Sequence, residues 1–247
     1  MIPKIIWQTH EWEYEQLPNN FNRCTQTWKN LNPEWEYRYH SAIDRSTTVR
    51  DFDKELYEYY MFADKVTQSD IWRYVVLYQY GGFYTDMDSF CIMPLNYSIE
   101  KFYDGKDIFC TKISYAENND NEDFKSLSLE SVNNSSIAAI PKSEILKLIL
   151  ENIKNYYKRF LILDLYNKIE AESGGFSRGS AKDLWLGTSA FQGVVLKNKD
   201  SVCFNYYGEI HSGAVKKDFK SDFIVDYYGD QVPYTELCKK MGWKDIT

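Results

Sequence analysis

The sequence predicts an α/β domain in which short strands alternate with helices. Residues 2–9 form a brief apolar run rich in β-branched side chains, which favours a buried first strand. Residues 64–80 predict a helix, and Gly81-Gly82 ends it because glycine readily adopts the left-handed backbone conformation of helix C-termini. A chain of 247 residues is long enough to bury one sizeable core. We therefore predict a single domain over residues 1–247.

Further strands and helices are predicted on both sides of that helix. Residues 83–90 read as a strand, and the apolar spacing within 141–159 is helical. In the C-terminal third, short apolar runs predict strands at 194–196, 202–207 and 223–227. The acidic and polar stretch 118–123 predicts a surface loop.

Charge and composition exclude several classes of protein. The net charge of −7, from 29 basic and 36 acidic residues, argues against binding of nucleic acid through its phosphates, which needs a clustered basic surface. The five cysteines are scattered and form no C-x-x-C pair, so neither a disulfide framework nor a zinc site is predicted. The sequence shows neither the pattern of a signal peptide nor an apolar run of about 20 residues. We expect a cytoplasmic protein without a transmembrane segment, soluble or at most peripheral at a membrane.

Two carboxylates stand out in the predicted strand 83–90. Strand side chains alternate between faces, so Tyr84, Asp86 and Asp88 are expected on one face. Such a pair can hold a divalent cation between protein oxygens and a ligand diphosphate. Isolated D-x-D pairs are also common on solvated strands, so this pair does not decide the function by itself.

The helix before this strand carries a second charged pair. Residues 71–78 are apolar on nearly every side, which predicts a buried helix, yet Asp70 and Arg73 lie three residues apart on one of its faces. Buried charges need partners. The two residues either form an internal salt bridge or reach a polar ligand near the two aspartates that follow Gly81-Gly82.

Together these segments resemble a known family. The run Ser69-Asp70-Ile71-Trp72-Arg73 followed by Tyr80-Gly81-Gly82-Phe83-Tyr84-Thr85-Asp86-Met87-Asp88 resembles the S-D-x-x-R…Y-G-G-x-Y-x-D-x-D signature of glycosyltransferase family 32 and of the related glucosyltransferase domains of large clostridial toxins. The opening Ile2-Pro3-Lys4-Ile5-Ile6 resembles that family's first strand. The resemblance implies the GT-A fold, a Rossmann-like nucleotide-sugar-binding sandwich with a mixed central sheet. It also implies transfer of a sugar from a nucleotide sugar, usually with retention of stereochemistry.

Roles for individual residues follow from this resemblance. Asp70 and Arg73 inherit contacts with the ribose, sugar and phosphate region of the donor, and Tyr84 inherits a place in the donor pocket. Asp88 is expected to bind the metal, Mn²⁺ or Mg²⁺, and Asp86 to contact ribose or metal. We take Asp70, Arg73 and Asp86 as the candidate catalytic residues.

The first strand departs from the family pattern. Members commonly show His and then Trp in I-I-H-x-x-W, whereas this chain has Trp7-Gln8-Thr9-His10, with the two rings exchanged. By position, His10 should stack on the base, with Thr9 beside it. By chemistry, Trp7 offers the better stacking surface, although it is equally interpreted as a core residue.

A third metal ligand is expected, because two carboxylates and a diphosphate leave coordination positions open. The run 211–217 resembles the C-terminal histidine loop of GT-A enzymes such as glycosyltransferase family 8. It implies that His211 ligates the metal and that Lys217 binds the diphosphate. Residues 133–135 resemble the family's sugar-side segment, and 187–189 resemble a glycine turn beside the acceptor.

The resemblance also suggests substrates and leaves other activities open. We expect a UDP-sugar as co-substrate, UDP-glucose or UDP-galactose first and a guanosine diphosphate sugar such as GDP-mannose second. The expected acceptor is a glycan or glycolipid (a lipid-linked saccharide), as in polysaccharide biosynthesis. A nucleotide-sugar hydrolase is one alternative. Another is an inactive carbohydrate-binding module on the same fold, against which the intact Asp70, Arg73, Asp86 and Asp88 count.

Overall fold

A six-stranded mixed sheet forms the centre of the computed structural model, which describes residues 1–91, 93–114, 130–163, 188–206, 211–212, 223–225 and 231–233. The strand order is β2-β1-β3-β6-β5-β7. Strands β1, β2 and β3 are mutually parallel, and β6 runs antiparallel to both β3 and β5. The strands are β1 (Ile5–Thr9), β2 (Glu36–His40), β3 (Gly82–Thr85), β4 (Phe90–Cys91), β5 (Ile108–Ser114), β6 (Glu130–Ala139), β7 (Val202–Tyr206), β8 (His211–Ser212), β9 (Phe223–Val225) and β10 (Gln231–Pro233).

Helices cover both faces of this sheet. They are α1 (Asn19–Leu31), α2 (Ala42–Phe52), α3 (Lys54–Phe62), α4 (Lys65–Tyr80), α5 (Leu95–Phe102), α6 (Glu144–Leu163) and α7 (Thr188–Lys197). On one face, Ile6 and Phe83 pack in a core with Trp28 of α1 and Leu95 of α5. On the other face, the sheet packs against α2, α3, α4, α6 and α7. The arrangement is a three-layer sandwich, which confirms the predicted α/β class with a mixed central sheet.

The turn between α4 and β3 places the two charged motifs of the sequence side by side. Helix α4 is capped by Asp64, whose side chain accepts the backbone N–H groups of Val66 and Thr67. It ends at Gly81, whose φ of 67° lies in the left-handed region, as predicted. Gly82 follows with a φ of 105°, and a Cβ there would lie 2.6 Å from the carbonyl oxygen of Ile5. Only glycine allows β3 to pair this closely with β1.

Two predicted elements differ from the structure. The predicted strand 83–90 ends at Thr85, and residues 86–89 form a turn before β4, so Asp86 and Asp88 do not share a strand face. Residues 194–196 belong to α7, because their apolar side chains face the core as part of a helix that begins at residue 188. The predicted strands around 202–207 and 223–227 are present as β7 and β9.

Three predictions fall on residues outside the described ones. They concern the surface loop at 118–123, residue 187 of the predicted glycine turn, and Lys217. Within the described part of the chain, no helix has both the length and the apolar character needed to cross a membrane.

Candidate active site

A cavity of about 410 Å³ opens where β1, β3 and the first turns of α2 and α4 meet. Its volume lies within the usual range for small-molecule sites. Ligands of open α/β sheets bind at the carboxyl ends of the strands. This cavity lies at the carboxyl ends of β1 and β3. The cavity is lined by Thr9, His10, Glu11, Phe21, Arg45, Lys65, Val66, Ser69, Arg73, Tyr84, Asp86, Met87 and Asp88.

The D-x-D segment forms a tight turn in the wall of this cavity. The backbone N–H of Asp86 donates to the carbonyl of Ser135 (3.0 Å), which continues the pairing of β3 with β6 by one residue. Ser89 then closes the turn, since its hydroxyl donates to the carbonyl of Asp86 (2.7 Å). Both Asp86 and Asp88 are partly exposed and line the cavity. The turn therefore places both carboxylates at one cavity, as a shared strand face was expected to do.

A buried glutamine of β1 holds this turn from the other side. The amide nitrogen of Gln8 donates to the carbonyl of Asp86 (3.0 Å), and its amide oxygen accepts from the hydroxyl of Tyr37 (2.9 Å). Gln8 is fully buried, so its polar groups need these partners. Sequence reasoning did not assign Gln8 a role, because nothing along the chain links it to a turn 78 residues later.

Asp70 and Arg73 form the predicted ion pair, and Arg73 also reaches the cavity. Nη2 of Arg73 lies 3.0 Å from Oδ1 of Asp70 and 3.4 Å from Oδ1 of Asp86. Nη1 of Arg73 donates to the carbonyl of Asn134 (2.7 Å), and the amide of Asn134 donates to Oδ1 of Asp70 (2.9 Å). Arg73 is among the residues that line the cavity, whereas Asp70 is not among the described ones that do. The predicted salt bridge is present and Arg73 faces the cavity, while contact of this pair with a ligand stays a prediction.

The electrostatics of this group follow from its burial. Desolvation raises the pKa of Asp70 to about 6, although the positive charge of Arg73 opposes the rise. Burial also raises the pKa of Tyr84 well above its usual value, so its phenol stays protonated. That hydroxyl donates to Oδ1 of Asp86 (2.5 Å), and the guanidinium of Arg73 lies 4.2 Å from the centre of the Tyr84 ring. Tyr84 therefore connects Arg73 to the first motif aspartate.

Trp7 and His10, the two rings at the first strand, lie in different surroundings. Trp7 is 1% exposed, packs against Trp72 and donates its indole N–H to the carbonyl of Gly81 (2.9 Å), so it belongs to the core. His10 is partly exposed and lines the cavity together with Thr9. The ring of His10 lies 5.0 Å from that of Phe21, which also lines the cavity.

The residues of the turn suit a hard divalent cation. Asp86 and Asp88 present carboxylate oxygens to one cavity, and oxygen is the ligand that Mn²⁺ and Mg²⁺ prefer. Burial and the nearby charge of Asp88 raise the pKa of the Cys24 thiol, so Cys24 does not offer a thiolate. Within the described residues, no group of three His, Cys, Asp or Glu side chains could hold a metal ion. The remaining ligands would have to come from the diphosphate, from water or from elsewhere in the chain.

The backbone of His211 lies near this turn. Strand β8 pairs antiparallel with β4, and His211 is the partner of Cys91, which follows Asp88 by three residues. The pairing brings a residue about 120 positions away in sequence to the strand that leaves the D-x-D turn.

Three charged residues of the cavity were not predicted. Arg45 comes from α2, Glu11 follows β1, and Lys65 begins α4. Nη2 of Arg45 pairs with the Glu11 carboxylate, whose other oxygen lies 3.5 Å from Nζ of Lys65. In the sequence, the only signal for these three residues is that Glu11 directly follows Thr9 and His10.

The mixed sheet, with a D-x-D turn at the ends of its parallel strands, agrees with the GT-A fold that the family resemblance implies. Comparison with known families agrees: residues 18–104 match the family described as "Glycosyltransferase sugar-binding region containing DXD motif". The family resemblance predicted from the sequence is thereby confirmed.

Curated relatives match somewhat more than a third of the chain. Inositol phosphoceramide mannosyltransferase 3 of Schizosaccharomyces pombe is 32% identical over 96 residues, which are 38% of this chain and 26% of that protein. The initiation-specific alpha-1,6-mannosyltransferase of Candida albicans is 27% identical over 105 residues, again 38% of this chain and 26% of that protein. The chain thus matches about a quarter of the length of these relatives.

Solved structures share the fold over most of the chain. The ligand-free glycosyltransferase domain of the YGT toxin has a TM-score of 0.57 at 11% identity and covers 90% of this chain and 83% of that domain. The PaToxG glycosyltransferase has a TM-score of 0.51 at 16% identity, with 79% of this chain and 69% of that one covered. At these identities the likeness concerns the fold alone.

Proposed function

We propose that this chain is a metal-dependent glycosyltransferase that moves a hexose from a nucleoside diphosphate sugar to a glycan or glycolipid acceptor. The observation that carries the proposal is the convergence of Arg73, Asp86 and Asp88 on one cavity. Arginine and a carboxylate-bound cation are the groups that stabilise the negative charge of a departing diphosphate. The family match over 18–104 supports the same activity.

Each residue of the site would have a separate task. Arg73 would bind the donor phosphates, and Asp70 and Asn134 hold its guanidinium in place. Tyr84 fixes the carboxylate of Asp86 by its hydrogen bond. When bound between these aspartates and the diphosphate, Mn²⁺ or Mg²⁺ would neutralise charge on the leaving group.

The remaining contribution to catalysis is the placement of the two substrates. The acceptor hydroxyl would attack the anomeric carbon while the nucleoside diphosphate leaves, so orientation and electrostatics supply most of the rate enhancement. Retention of stereochemistry is proposed on the family resemblance, as are the predicted metal-binding role of His211 and the diphosphate contact of Lys217.

The identity of the transferred sugar is proposed from the relatives and from the motif. The family resemblance of the motif favoured glucose or galactose carried by UDP, whereas the curated relatives named above are mannosyltransferases. Their names support mannose as the first sugar to test, and one of them also names a ceramide lipid acceptor. We propose a cytoplasmic location, with the protein soluble or peripheral at a membrane, on the sequence alone.

A panel of donors tests the proposal. The protein would be incubated with UDP-glucose, UDP-galactose and GDP-mannose, with and without manganese, and the released nucleoside diphosphate and free sugar would be measured together with the product formed on a set of glycan and glycolipid acceptors. We expect transfer from one donor that requires manganese and is lost in Asp88→Asn. Asp51→Asn, which changes an exposed aspartate at the end of α2, is the matched control and should behave like the wild type.

Two other outcomes would replace this proposal. Free sugar without transfer to any acceptor would identify a nucleotide-sugar hydrolase. Failure of every donor to bind with manganese, measured by calorimetry, would favour an inactive carbohydrate-binding module.

A further inference from the structure

Arg45 is a second buried arginine at the cavity, and the proposed chemistry does not use it. Its side chain is 1% exposed, although it belongs to the residues that line the cavity. A buried guanidinium is costly unless it is paired, so its partners indicate what it holds in place.

Two partners of Arg45 lie on the two sides of His10. Nη1 of Arg45 donates to the hydroxyl of Thr9 (2.9 Å), which in turn donates to the carbonyl of His40 (2.6 Å). Nη2 of Arg45 forms an ion pair with the carboxylate of Glu11. One planar group therefore fixes both neighbours of His10, where the chain leaves β1 and borders the cavity.

Helix α2 holds Arg45 at this position. The helix begins directly after β2, which is paired with β1 so that His40 is the partner of Thr9. Ser41 and Asp44 form a capping box that fixes the first turn of α2, and Arg45 follows at the end of that turn. Its Nε–H is buried and has no hydrogen-bond partner within the described part of the chain.

The cavity wall near Arg45 suits the nucleoside rather than the diphosphate. His10 and Phe21 supply ring surface, on which a flat heterocyclic base can pack. The two motif aspartates and Arg73 supply the charges suited to a cation and phosphates.

We propose that Arg45 is a positioning residue for the nucleoside of the donor: through Thr9 and Glu11 it holds the segment around His10 in the shape that receives the base. The inference rests on the proposed function. It assigns to the Arg45–Glu11 pair a role in binding of the nucleotide and none in the transfer step.

The test compares ligands with and without a nucleoside. Binding of UDP, GDP and inorganic pyrophosphate would be measured by calorimetry in manganese, and the nucleotide that binds wild-type protein more tightly would be used for the variants. We expect Arg45→Gln to weaken that nucleotide about tenfold, the effect of losing hydrogen bonds to a charged group, while pyrophosphate affinity stays within about twofold. In the transfer assay KM for the donor should rise and kcat should stay unchanged, since only uniform binding is lost. Arg45→Lys should recover part of the affinity, because it restores the charge beside Glu11.

Controls keep the result interpretable. Arg50→Gln changes an exposed arginine of the same helix and should leave all affinities unchanged. If Arg45→Gln does not fold, Glu11→Gln removes the same ion pair without a change in size and should give the same pattern with a smaller effect. An equal loss for nucleotide and pyrophosphate, or unchanged nucleotide affinity in a folded variant, would overturn the inference while the proposed function stands. Wild-type protein that binds neither nucleotide would overturn the proposed function and this inference with it.

Discussion

Replacing Arg73 by methionine separates its contribution to folding from its contribution to the donor site. The substitution leaves the carboxylate of Asp70 buried without the cation that now lies 3.0 Å away. It also removes the hydrogen bond that Nη1 of Arg73 donates to the carbonyl of Asn134. Breaking a buried ion pair by removing one partner costs about 3–5 kcal/mol, so we expect a loss of stability in that range.

The double variant Arg73→Met with Asp70→Asn distinguishes the two contributions. The amide that replaces the Asp70 carboxylate could still accept the hydrogen bond from Asn134, and no unpaired charge would remain at position 70. We expect the double variant to regain at least about 1 kcal/mol of unfolding free energy relative to Arg73→Met, because the two residues are coupled. Activity should not return, since the cation that faces Asp86 is still missing. Loss of one such preorganised group lowers kcat by about 10² to 10³.

Unfolding free energies would be measured by urea denaturation of the wild type, both single variants and the double variant. Turnover per folded molecule would be measured at a temperature well below the lowest melting point. Return of turnover together with stability in the double variant would refute the functional role of Arg73. A double variant no more stable than Arg73→Met would refute the coupling within the pair.

Three further predictions concern the metal and pH. Asp88→Asn should weaken donor binding in manganese toward the level seen in excess chelator, because a diphosphate and a carboxylate repel each other without a cation; titration calorimetry measures this. His211→Ala should raise the manganese concentration for half-maximal activity and flatten the fall in metal affinity at acid pH, since only a neutral imidazole ligates. As pH falls below about 6.5, the His40→Gln variant should lose less stability than the wild type. Burial lowers the pKa of His40 in the folded protein, so over this pH range the unfolded chain binds a proton that the folded chain does not. Proton binding therefore favours the unfolded state of the wild type, and the variant lacks this effect.

Each of these predictions has a clear contrary result. Donor affinity that is equal with and without chelator would show that donor binding does not depend on a metal. If His211→Ala responds to manganese as the wild type does, His211 is not a metal ligand, and only the aspartates and the donor phosphates would bind the cation. Parallel melting curves against pH for the wild type and His40→Gln would show that His40 titrates as it does in the unfolded chain.

Local signals in the sequence were sufficient for the helix and the turn that precede the motif. Asp64 caps α4 and Gly81-Gly82 ends it, and both effects depend on backbone hydrogen bonds and φ angles of a few neighbouring residues. Periodicity did not predict the end of β3. The strand ends at Thr85 because Ser89 and Gln8 both bond to the carbonyl of Asp86, and these contacts compete with continued strand pairing.

Long-range contacts account for the residues that sequence reasoning missed. Gln8 and Arg45 act through hydrogen bonds to residues 78 and 36 positions away, respectively. Neither lies in a motif, and each reads as an ordinary polar residue in its own segment. Their roles become visible only once β2, β1 and β3 are placed side by side in the sheet.

The core of the site was predictable because one helix and one strand fold back on each other. Arg73 precedes Gly81 by eight residues, about 12 Å along a helix. Asp86 follows Gly81 by five residues, about 16 Å along a strand. With a sharp glycine turn between them, the two elements run antiparallel and bring both side chains to a similar height, and Nη2 of Arg73 does lie 3.4 Å from Oδ1 of Asp86. Inserting one residue between Gly82 and the motif would fall within β3, shift Asp86 by roughly 3.3 Å and separate it from Arg73.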